Sequence, residues 1–207
     1  MAIMDVTSTL REEIAQALKL WPTGIIILDV KGVLMLRATI ETARLLAANE
    51  RGIIITIDRP HQYLMQALKA QEIPTSHLVV LDVIARYSAD INEECRVCSV
   101  MDGPFNIDRA PEAVRAMSIV ENSGTIDIAS CSFILVDNMG ALLPYNNLPK
   151  VESFVKGLAV LTKSGQQRRL VLMVDGERQL LLMEMLRSIT AQRATMNAGR
   201  PPASEKR

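Results

Sequence analysis

An α/β fold, a three-layer sandwich around a parallel sheet, follows from three observations on this 207-residue sequence. Short aliphatic runs recur along the chain, segments with helical spacing of apolar residues separate them, and the links between the two are a few residues long. Runs that are apolar at every position mark strands buried on both faces, and alternation with helices supplies the covering layers. Composition agrees: a hydrophobic share of 49% with only 3% aromatic residues is enough for one aliphatic core and excludes a disordered or cysteine-stapled chain.

Taken in order, Thr9 to Leu20 has helical periodicity and Pro22 ends it; Gly24 to Asp29 is a buried strand; Lys31-Gly32 is a turn; and Met35 to Asn49 is a helix stopped before Gly52. Gly52 to Ile57 is the second strand, Asp58-Arg59-Pro60 its exit, and Pro60 to Ala70 a helix with proline at its first turn. His77 to Leu81 is a third strand ending at Asp82. Residues 85–110, polar and carrying Asp102-Gly103-Pro104, predict an irregular loop or insertion. Ala110 to Asn122 has Val114, Met117 and Val120 at helical spacing, Ser132 to Asp137 is a strongly apolar strand, and Val151 to Thr162 is a helix. Leu170 to Val174 is the last strand, Asp175-Gly176 a tight turn, and Glu177 to Gln192 a methionine-rich helix. One domain over residues 1–192 and a flexible basic tail over 193–207 complete the expectation.

Charge and targeting bound the function. With 23 basic and 23 acidic residues, no global field draws the chain to nucleic acid or anionic membrane. Residues 1–149 carry a net charge of −6 and residues 150–207 one of +6, so a basic C-terminal part remains for an acidic partner. No apolar run approaches the roughly 20 residues that cross a bilayer and Met1 to Leu10 lacks an export signal, which predicts a cytoplasmic protein without membrane insertion. Cys95, Cys98 and Cys131 are an odd set of thiols; Cys95-x-x-Cys98 has metal or redox spacing, although unreactive thiols are the simpler reading. His61 and His77 belong to no local metal motif and read as surface or packing residues; Cys131 reads as a core thiol.

In an open parallel sheet, ligands bind beyond the carboxyl ends of the strands. Asp29, Asp58, Asp82, Asp137 and Asp175 stand at those ends, where oxygen ligands can hold a hard cation, or simply cap turns and helices. Asp137, closing Phe133-Ile-Leu-Val, is the sharpest of them, placed to hold magnesium-bound nucleotide.

The succession of elements, with Ile55-Thr-Ile-Asp58-Arg-Pro60 and Phe133-Ile-Leu-Val-Asp137, resembles the RecA-like ATPase superfamily over residues 15–190, most closely the small archaeal members related to circadian-clock and recombination-mediator ATPases. That resemblance implies a P-loop nucleotide-binding fold and a ring- or filament-forming habit. Active relatives carry a glycine-rich loop ending in Gly-Lys-Ser/Thr after the first strand. Here Asp29-Val-Lys-Gly-Val-Leu-Met-Leu-Arg-Ala-Thr39 has no standard Walker A motif, and Lys31, Arg37 and Thr39 are poor substitutes.

The leading expectation is therefore a non-catalytic RecA-like regulatory or scaffold protein with no cofactor, acting by protein contact as a homodimer or as a hetero-oligomer with an active relative. An alternative is an ATP-binding protein or weak magnesium-dependent ATPase using Lys31, Gly32 and Asp137, with Asp137 as the magnesium ligand. A third is a nucleic-acid-binding accessory protein using Lys163, Arg168, Arg169 and Arg178; the neutral net charge and scarce aromatics make nucleic acid the weakest partner class.

Overall fold

The computed structural model describes residues 2–84, 98–121, 124–163 and 168–198. Its elements are α1 (Ala2–Leu20), β1 (Gly24–Asp29), α2 (Met35–Ala47), β2 (Gly52–Thr56), α3 (His61–Ala70), β3 (Leu78–Asp82), β4 (Cys98–Val100), α4 (Ala110–Ala116), β5 (Ser118–Glu121), β6 (Gly124–Asp127), β7 (Phe133–Val136), α5 (Leu148–Leu161), β8 (Arg169–Val174) and α6 (Leu180–Ala198). Six strands form one sheet in the order β1-β8-β7-β2-β3-β4, every neighbouring pair parallel, and β5 and β6 make a separate antiparallel hairpin.

The sheet is a three-layer sandwich because alternate side chains enter two different cores. Ile54, Leu78, Phe133, Leu135, Val171 and Met173 point to one face, under α1, α2 and α3. Ile53, Ile55, Ile134, Val136, Leu170 and Leu172 point to the other, under α4, α5 and α6. From β2 the chain moves toward β3 and β4; from β7 it moves the opposite way, to β8. The junction of β2 and β7 is therefore the point where winding reverses, the place at which a crevice opens at the carboxyl ends of the strands.

Two neighbouring glycine and aromatic positions fix this junction. A β-carbon on Gly52 would stand 2.2 Å from the Phe133 ring, so only glycine lets the fully buried ring cross the start of β2.

Three segments differ from the sequence reading. Cys98–Val100 is not loop but the outermost strand, pairing with β3, and Pro104–Arg109 is a 3-10 turn whose Ile107 is fully buried in the core. Cys95 and the rest of 85–97 lie outside the described residues. The helix expected to reach Asn122 stops at Ala116, because Met117 turns extended at ψ 124° and hands residues 118–121 to the hairpin. Last, α6 runs to Ala198, past the expected boundary at 192; residues 199–207 are outside the described set. No helix among the described residues is long and apolar enough to cross a membrane.

Candidate functional site

The five strand-end aspartates do not converge on one cation. The strand order divides them into three groups, each tied to its own backbone.

At the sheet edge, Asp29 after β1 and Asp175 after β8 cap each other's turns. The Gly176 amide donates to Asp29 Oδ1 at 2.8 Å, and the Gly32 amide donates to Asp175 Oδ2 at 2.8 Å. Asp175 also accepts from the Arg178 amide at 3.2 Å. Lys31 reaches Glu177 at 3.8 Å on the surface, Val33 is 85% exposed, and Thr39 is buried with its hydroxyl on the Met35 carbonyl at 3.0 Å. The segment after β1 thus has its glycine amide occupied by the chain's own carboxylate. Lys31 and Gly32 are also separated from Asp137 by the whole of β8, roughly 10 Å across two strand spacings.

At the switch point, Asp58 and Arg59 after β2 meet Asp137 and Asn138 after β7. Arg59 grips the Asp58 carboxylate with Nε at 2.7 Å and a terminal nitrogen at 2.8 Å, and Asn138 donates to Asp58 at 2.8 Å. Burial pushes the Asp58 carboxyl up, but the hydrogen bonds from Arg59 and Asn138 together with the arginine charge outweigh it and hold it below the usual carboxylate range. Asp137 is fully buried. Its Oδ1 accepts from the Ile57 amide at 3.0 Å, while Oδ2 lies 3.8 Å from Arg59 Nε and has no hydrogen-bond partner. Burial, with the Asp58 charge adding to it, pushes Asp137 up to about 8 against the opposing pull of Arg59 and the Ile57 amide.

As arranged, these residues bond to one another rather than stand open to a magnesium-bound nucleotide. Asp137 is fully enclosed with Oδ1 already on the Ile57 amide, whereas a hard cation takes several oxygen ligands, water among them. The Arg59 guanidinium is paired with Asp58, and the amide of Gly32, the one glycine between β1 and α2, is held by Asp175.

The third group surrounds Asp82, fully buried at the end of β3. Pro60, extended at ψ 146°, has no side chain with which to cap α3, so Asp82 does it across 21 residues of chain: Oδ2 accepts from the His61 amide at 2.6 Å. The same oxygen meets His61 Nδ1 at 2.8 Å, and Oδ1 accepts from the Ile84 amide at 2.9 Å. His61 is thus a buried member of a carboxylate pair, and Cys98 of β4 lies close to both. Nothing local in the sequence announces this association: α3 packing on β3 sets His61 on Asp82, and β4 docking on β3 brings Cys98.

The remaining candidates have structural roles. His77 binds the Ala47 carbonyl at 2.9 Å. Cys131 is fully enclosed, and burial pushes its thiol up to about 11, as suits a core thiol. Three of the four basic residues proposed for nucleic acid are not on one surface: Arg168 is buried on the Cys131 and Leu161 carbonyls, Arg169 pairs with Glu50, and Arg178 follows the opposite end of β8.

No protein-family model matches the sequence, and no curated protein matches it significantly.

Proposed function

We propose that this chain is a non-catalytic regulatory or scaffold protein, RecA-like in descent, that works through protein contacts rather than through a bound nucleotide. The observation that carries this reading is self-occupation: at the edge and at the switch point, the groups that would receive phosphate are bonded to Asp175 and Asp58. The succession of strands and helices in the sequence supports the RecA-like part, and the exposed apolar side chains support the contact part. Val33 after β1 and Leu180 and Leu181 at the start of α6 are 85%, 67% and 68% exposed, at the carboxyl end of adjacent strands β1 and β8. Leu182, Met183, Leu186 and Ile189 on the same helix are buried in the core. One side of α6 therefore holds the fold while its first turn offers leucine to a homodimer partner or to an active RecA-like relative.

Linkage provides the test. A ligand that binds only the folded chain, at 100 times its Kd, adds about 2.7 kcal/mol of stability. The unfolding temperature should be the same with and without millimolar magnesium-ATP, and an upward shift of several degrees would overturn the reading.

A further inference from the structure

Three donor atoms of different chemistry converge at the carboxyl ends of β3 and β4. Val80 pairs with Cys98 and Asp82 with Val100; residues two apart share a face, so Asp82 and Cys98 project from the same side of the sheet. That side is covered by α3, through Leu64 and Leu68 against Leu78, and α3 begins at His61. A His61 ring nitrogen, an Asp82 carboxylate oxygen and the Cys98 sulfur all lie within 4.8 Å of one another.

We propose that His61, Asp82 and Cys98 form a zinc-binding site that pins the edge strand β4 to β3 and α3. The donor set selects the metal: sulfur and imidazole favour zinc, whereas magnesium and calcium take oxygen. The spacing suits a small tetrahedral ion. Bonds of about 2.0 to 2.3 Å put tetrahedral ligands roughly 3.3 to 3.8 Å apart, and the three donors already stand within 4.8 Å of one another. Asp82 already holds the imidazole, with Oδ2 at 2.8 Å from His61 Nδ1. That 2.8 Å contact is too short for both atoms to be ligands as they stand. Loading parts the two by about 0.5 Å so that both coordinate beside Cys98. Water completes the shell. As the zinc–sulfur bond forms, the Cys98 thiol loses its proton to the buffer, so binding releases a proton and weakens at acid pH.

The site is independent of the nucleotide question, since neither Asp58 nor Asp137 takes part. It gives a three-residue edge strand, Cys98–Val100, an anchor that its own hydrogen bonds supply only along one side.

The test uses the full chain stripped of metal, titrated with zinc against a chromophoric chelator and with cobalt(II) as the spectroscopic probe. The expected result is one metal per chain, tetrahedral cobalt absorption and a thiolate-to-cobalt charge-transfer band. Cys98→Ser should abolish the band, His61→Asn should weaken zinc by about tenfold or more, and Cys131→Ser should change neither. A wild-type chain that leaves zinc with the chelator, or that binds cobalt without the thiolate band, overturns the proposal. So does a Cys98→Ser chain that melts like the metal-free wild type yet keeps full zinc affinity.

Discussion

Arg59 and Asp137 face each other across the switch point at ion-pair distance but without a hydrogen bond: Nε stands 3.8 Å from Oδ2, while the same guanidinium closes on Asp58 at 2.7 and 2.8 Å. The arginine charge is spent on the nearer, ionised carboxylate. Burial and the neighbouring Asp58 charge consequently push Asp137 toward its neutral form.

This relationship has a pH signature. Unfolded, Asp137 titrates near 3.9; folded, it titrates at about 8. Between those values the folded chain holds a proton that the unfolded chain has released, so the associated stability is complete below the lower value and is lost as pH rises to the higher one. Asp137→Asn removes the dependence. Unfolding midpoints from pH 5 to 8 should show wild type falling steadily relative to the variant, with the variant more stable at pH 8 by on the order of 2 kcal/mol. Parallel curves would mean that Asp137 is ionised throughout.

Asp58 acts with the opposite sign. Its folded pKa is lowered, so the stability it contributes is present above the ordinary carboxylate value and is lost as pH falls through the lowered one. Arg59→Ala should cost about 1 to 3 kcal/mol at pH 7 and shift acid unfolding to higher pH, both measurable by chemical denaturation.

Gly52 and Phe133 should be coupled. Gly52→Ala puts a methyl group 2.2 Å from the ring, an overpacking that costs about 1 to 3 kcal/mol. Adding Phe133→Leu should recover part of that loss in a double-mutant cycle, and strict additivity would show that the ring already has room to move.

Arg168 distinguishes a core role from a phosphate contact. Its guanidinium bonds to the Cys131, Leu161 and Ala129 carbonyls at 2.9, 3.0 and 3.4 Å and the residue is 4% exposed. Arg168→Ala should destabilise by on the order of 3 kcal/mol. If the melting temperature were unchanged while salt-dependent single-strand binding fell, the residue would be serving nucleic acid instead.

Much of this architecture was legible in the sequence because buried parallel strands write themselves as unbroken aliphatic runs. Ile53 to Ile55 and Phe133 to Val136 are no more than 1% exposed, and no alternating pattern competes with them. What failed was short or disguised. Cys98–Val100 is half-buried and three residues long, too brief for periodicity to register, and Val114, Met117 and Val120 keep helical spacing across a backbone that leaves the helix at Met117. The site was half legible for a different reason. Each strand-end aspartate could be picked out singly, but their partners depend on strand order, which sets residue 58 beside 137, 29 beside 175, and 61 beside 82. Local spacing carries no trace of those associations.

The most direct measurement is a calorimetric titration of the purified chain with magnesium-ATP, carried to millimolar nucleotide and repeated on Asp137→Ala. Phosphate-receiving groups occupied by Asp175 and Asp58 predict no saturable heat from either protein. Saturable, magnesium-dependent heat in the wild type that disappears in Asp137→Ala would contradict the account and return the switch point to nucleotide chemistry.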